Sequence, residues 1–118
     1  MMILKIKDRE VLAKVERIIM KEFATEREYD FAVWEYFFRP YELWKFQEEL
    51  YKTYYGFLVY KNLLFIVDEG RYVVYDLDTE EKVEEFVITY PTEKENEVSS
   101  NNFDKKIEEI VKKYTESD

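Results

Sequence analysis

Seven consecutive residues, Val73-Val74-Tyr75-Asp76-Leu77-Asp78-Thr79, place two aspartates two positions apart at the end of an apolar run. A carboxylate so placed can attack an electrophile, and a second one beside it can carry the proton. Close by in sequence are Asp68, Glu69, Glu80 and Glu81, hard oxygen donors of the kind that hold Mg²⁺ or Ca²⁺. Other chemistries are missing at the level of residue type. The chain has no His and no Cys, so the commonest general base and the thiol nucleophile are absent. Its serines are Ser99, Ser100 and Ser117, all in polar stretches. Its two glycines are isolated, so no phosphate-cradling loop can be built.

The run at residues 73–79 has the form hhhDxDxT and resembles the nucleophile motif of haloacid-dehalogenase-like phosphatases. The resemblance would make Asp76 the nucleophile and Asp78 the acid/base. That family needs a long α/β domain with a lysine and further acids well downstream. Its strand leads into a loop and helix, whereas this run leads into a hairpin with little chain after it. The motif is therefore read as turn chemistry. The wider segment VYDLDTEEKV resembles the inter-strand turn of a β-propeller blade. With no internal repeat, that likeness implies a hairpin and no propeller. Glu80-Glu81-Lys82 is similar to the end of a metal-nuclease signature, but that signature sits on a core strand and these residues fall in a turn. The six acids do not converge either. Asp68 sits at one turn and Asp76 about five residues away along a strand, roughly 16 Å at 3.3 Å per residue. No catalytic residue, cofactor or metal is expected.

With 118 residues the chain is read as one domain. Aromatic residues make up 19%, with 11 Tyr and 9 Phe against 2 Gly and 2 Pro, and charged residues 38%. Dense Glu and Lys with one Gln (Gln47) is the pattern associated with hyperthermophiles. The net charge of -9 repels phosphate backbones and anionic membranes. No apolar run reaches the roughly 18 residues of a membrane span, and the apolar start of MMILKIKDRE is too short for a secretory signal. A soluble cytoplasmic protein is expected.

The elements that must position any site follow from periodicity. Residues 2–7 alternate as a short strand with lysines on one side. Asp8 then caps a helix over residues 9–24, with Val11, Leu12, Val15, Ile18, Ile19 and Phe23 on one face. Residues 25–39 read as a strand by residue type, although Thr25 with Glu28 and the series Tyr29, Val33, Phe37 also outline a helix. Pro40 opens a helix over residues 41–54 that Gly56 ends. Leu43, Phe46, Leu50 and Tyr54 form one stripe on it; Trp44, Tyr51 and Tyr55 form a second, about 100° away. Residues 57–90 form an antiparallel meander. It turns at Lys61-Asn62 (or runs as one long strand from 57 to 67), at Asp68-Glu69-Gly70 and at residues 78–81. Its last strand, residues 83–90, carries Phe86, Ile88 and Tyr90 on one face. The organisation expected is a domain at 1–91, a polar linker at 92–102, and an amphipathic helix at 103–115. Asn102 caps that helix, which docks on the domain or on a partner chain.

The fold class expected is α+β: a mostly antiparallel sheet of four to six strands, with two or three helices covering one face. The function expected is a protein–protein interaction or assembly module, with a homodimer as the simplest form. The argument is a surplus of aromatic surface over what so small a core needs. The candidate contact residues are Trp44, Tyr51 and Tyr55, with Phe103, Ile107, Ile110 and Tyr114 of the last helix as a second element. Two rival readings remain. One is a nucleic-acid protein, winged-helix-like or using aromatic stacking, opposed by the acidic charge. The other is a small metal-dependent enzyme using turn carboxylates.

Overall fold

A computed structural model of the chain describes residues 9–22, 42–88 and 96–115. Seven elements follow in order: α1 (Arg9–Glu22), α2 (Leu43–Lys52), β1 (Tyr55–Tyr60), β2 (Leu63–Asp68), β3 (Arg71–Asp76), β4 (Glu81–Val87) and α3 (Asn96–Thr115). The strands form an antiparallel meander in the order β1-β2-β3-β4. This is the α+β class, with four strands and three helices among the described residues. The strand proposed at residues 2–7, the Asp8 cap, Phe23, the ambiguous segment 25–39, Pro40 and Tyr90 lie outside the described residues.

The turns show why the meander forms here. Leu63 pairs with Tyr60, so Lys61-Asn62 is a two-residue turn and residues 57–67 are not one strand. Lys61 takes φ of 55°, the left-handed region that a tight hairpin demands. Asp68 pairs with Arg71, so the second turn is the two-residue Glu69-Gly70, with φ of 48° and 84°. Positive φ at both central positions gives a type I′ turn, which matches the strand twist. At the third turn Asp76 Oδ1 accepts the Asp78 N–H (2.8 Å) and Thr79 Oγ1 accepts the Glu81 N–H (3.3 Å). The phosphatase-like aspartate at position 76 is therefore a turn-former.

The sheet is covered on both faces, a correction to the one-sided cover expected. Leu58, Tyr60, Leu63, Phe65, Val67, Tyr72 and Val74 pack against Phe46 and Leu50 of α2 and Phe103, Ile107, Ile110 and Val111 of α3. On the other face Phe57, Val59, Leu64, Ile66, Val73, Tyr75 and Leu77 pack against Val15, Ile18 and Ile19 of α1. The physical reason is legible in β1, β2 and β3, which are apolar at consecutive positions and so need cover on both sides. Each such large apolar side chain contributes about 1.5–3 kcal/mol when fully buried. β4 differs. Phe86 stacks on Tyr72 (centroids 5.0 Å, planes 9° apart) and Ile88 packs on the α2/α3 side, while Glu85 and Val87 are exposed on the α1 side.

Two helix boundaries differ from expectation. α2 ends at Lys52, because Thr53 leaves helical geometry (φ -81°, ψ 126°) and its hydroxyl donates to the Glu49 carbonyl (2.8 Å). Gly56 does not stop the helix; it lies inside β1, buried, with φ of 153°. α3 begins at Asn96, so much of the segment read as a polar linker is helical and Asn102 lies within the helix. Residues 96–102 contain no Gly or Pro to break a helix, and the apolar stripe that starts at Phe103 holds the rest in place.

Two exposed ion clusters link elements on the α1 side of the sheet. Arg17 grips Glu80 with two bonds (3.0 and 2.9 Å) and holds its carboxyl below the usual range. Lys82 and then Arg71 do the same to Glu85 (3.0 and 2.9 Å). Both groups have lowered values in the folded chain. The stability they add is present above the unfolded carboxylate pKa and is lost as pH falls through the lowered folded values. Melting temperature should hold from neutral pH to about 5 and fall below about pH 4. The combined Glu80→Gln/Glu85→Gln variant should fall less steeply. A melting temperature that rises on acidification would contradict this.

Candidate interaction surface

The structure separates the residues that the sequence grouped. Trp44 lies on the first turn of α2 and is 60% exposed, its indole N–H donating to Glu42. Around it the helix is charge-balanced: Lys45 pairs with Glu49 (3.3 Å) and Lys52 with Glu48 (2.8 Å). Tyr51 is half-buried, edge-on to Phe103 with centroids 5.1 Å apart. Tyr55 has left the helix and opens β1. Strand alternation puts it on the side of Phe57 and Val59, the α1 side, opposite α2. Trp44, Tyr51 and Tyr55 therefore form no single stripe. The cause is the helix end at Lys52, three residues before Tyr55.

The second proposed contact element is spent on the chain's own core, which corrects its reading as surface. Phe103, Ile107 and Ile110 are buried against the sheet and α2. Polar contacts seat α3 further. Gln47, the one glutamine, is buried and donates through Nε2 to the Asp104 carbonyl (3.1 Å), with Glu108 Oε1 at 3.4 Å. Burial, with Glu108 nearby, raises the Asp104 carboxyl above its ordinary value. Asn62 donates to the Tyr114 carbonyl (3.3 Å). The Tyr114 hydroxyl lies 2.7 Å from Glu84 Oε2 and 3.1 Å from the Val83 carbonyl. The latter contact has a reason. The β3–β4 register slips between Val74 and Tyr75, leaving Val83 as a bulge, and Tyr114 covers the carbonyl that the bulge turns aside.

Two features lie outside what residue spacing predicts. Tyr54, assigned by helical spacing to the buried stripe, is 61% exposed because α2 stops before it. Its ring lies 6.3 Å from that of Tyr55, which is 48% exposed. The change of backbone at Thr53, a β-branched residue, is the signal that could have revealed this. The second feature is a carboxylate cluster. Glu22 at the end of α1, its side chain 7% exposed, accepts from Arg71 Nη2 (2.5 Å) and from the Tyr75 hydroxyl (2.6 Å). Burial and the Glu22 carboxylate push the Tyr75 hydroxyl well above its usual pKa. Each member is held by another, so the cluster fastens α1 to β3.

Among the described residues no three acids stand together in a way that could hold a metal ion. Nor is any described helix long and apolar enough to cross a membrane. Of the described aromatics, only Trp44, Tyr54 and Tyr55 are exposed. No family model, curated protein or solved structure matches the chain.

Proposed function

We propose that this chain is a small protein-interaction module acting in the cytoplasm, and that its simplest assembly is a homodimer through the outer face of α2. The observation that supports this is the exposure of Trp44 at 60% in a chain that buries most of its other described aromatics. Tryptophan is among the side chains that most often dominate interface energetics. A net charge of -9 opposes self-association in general. The Lys45–Glu49 and Lys52–Glu48 pairs relieve that repulsion locally, leaving a polar rim about Trp44. A two-fold axis would set one Trp44 beside the other and needs no second gene product.

Sedimentation over a wide concentration range tests this reading. The wild type should shift from one-chain to two-chain mass, and in a Trp34→Phe background, where Trp44 is the sole tryptophan, the fluorescence should move to the blue. Trp44→Ala should weaken the dimer by tenfold or more, since interface anchors cost about 2 kcal/mol or more. A one-chain mass at every concentration would overturn the homodimer. A Trp44→Ala dimer as tight as the wild type would move the interface elsewhere.

A further inference from the structure

We propose that the corner formed by Tyr54, Tyr55 and the Glu69-Gly70 turn is a docking point for a cationic side chain, arginine above all, presented by a basic segment of a partner protein. It lies at the other end of α2 from Trp44, about 15 Å along a ten-residue helix, and stands apart from the dimer reading. Tyr54 and Tyr55 keep 61% and 48% of their surface accessible, and their rings are 6.3 Å apart at an angle of 38°. Tilted tyrosine faces within a few ångströms of each other offer concentrated negative quadrupole, which attracts a guanidinium or ammonium.

The corner is built in advance. The Tyr54 carbonyl accepts the Glu69 N–H at 2.9 Å, and Tyr55 pairs with Asp68 in the β1–β2 register. The type I′ turn then projects Glu69, which is exposed. A preformed site loses little freedom on binding. Charge selects the occupant. Glu69 forms no ion pair among the described residues. Arg71, the cation next to this turn, is already engaged by Glu22 and Glu85. The chain as a whole is acidic by nine charges, so it draws in cationic partners and repels anionic ones. Arginine suits the corner better than lysine. Its planar group can stack on a tyrosine while donating to a carboxylate.

Calorimetric titration of the full chain with acetylated tetra-arginine amide at low salt tests the proposal, with amide chemical shifts followed in parallel. Binding is expected, with shifts centred on Tyr54, Tyr55 and Glu69. The Tyr54→Ala/Tyr55→Ala variant should bind about tenfold more weakly. Glu69→Gln, an exposed change that leaves the turn backbone intact, should also weaken binding and carries the test alone if the tyrosine variant does not fold. Trp44→Ala should bind the peptide as the wild type does, even if its self-association is lost. Absence of binding overturns the proposal. So does binding that Glu69→Gln leaves unchanged, with shifts spread over the acidic surface, which would mean diffuse attraction only.

Discussion

Replacing Phe103 with alanine is expected to destabilise the fold by about 3–5 kcal/mol, the usual cost of deleting a large buried aromatic. Phe103 is fully buried, with Tyr51 at 5.1 Å and Tyr72 at 5.2 Å between ring centroids. It packs on Tyr51 of α2 and Tyr72 of β3, so the cavity would form where the helix meets both the sheet and α2. The loss is a large share of the 5–15 kcal/mol that holds a typical domain together. Urea unfolding, read by far-UV circular dichroism, measures it directly. Because α3 packs on its own chain, the cost should be the same at low and high protein concentration. A concentration-dependent loss would mean that the helix docks on a neighbour. A loss under about 1 kcal/mol would mean that α3 is not docked as described. Trp44→Ala serves as the contrast at concentrations where the chain is a monomer, since an exposed side chain removed from α2 should there change stability by no more than about 0.5 kcal/mol.

The second large effect is expected at Arg71. Changing it to methionine keeps the aliphatic stem and removes the charge that faces Glu22. Glu22 is 7% exposed, so its carboxylate would be left nearly dry, with the Tyr75 hydroxyl as its only side-chain donor among the described residues. Breaking a buried ion pair from one side costs about 3–5 kcal/mol. Arg71 is 34% exposed, so water softens the loss and about 2–4 kcal/mol is expected. The pair Glu22→Gln/Arg71→Met should recover much of it, because a neutral amide at position 22 can still accept from Tyr75. Thermal unfolding of the two single variants and the double completes the cycle. Strict additivity would show that Arg71 and Glu22 do not act together. A loss in Arg71→Met alone of less than about 1 kcal/mol would show that α1 is held by its apolar face only.

These two sites differ in how far they could be read from sequence. The Phe103 face was legible, because Phe103, Ile107, Ile110, Val111 and Tyr114 recur at helical spacing. What they would pack against was not, since a helix face does not name its partner. The Glu22–Arg71 and Glu22–Tyr75 contacts span 49 and 53 residues, and no local pattern marks them. Asp68 and Glu69 stand at one end of β3, and Asp76, Asp78, Glu80 and Glu81 at the other. The strands that separate them have a fixed rise per residue, so distance along the meander could be counted.

The sequence by itself determined the α+β class, the antiparallel order of the meander and the places of its second and third turns; it left residues 57–67 open to a single strand, which the pairing of Tyr60 with Leu63 excludes. Those depend on local matters: apolar runs, a glycine and other turn-forming residues between them, and period-two alternation in β4. Only the tertiary structure decided which aromatic residues face solvent. Ending α2 at Lys52 moved Tyr54 to the surface and Tyr55 to the opposite side of the sheet from Trp44. Covering both faces of the sheet consumed the apolar stripe of α3. A residue's exposure is set by where its element stops and by what lies across from it, and both depend on contacts between elements distant in the chain.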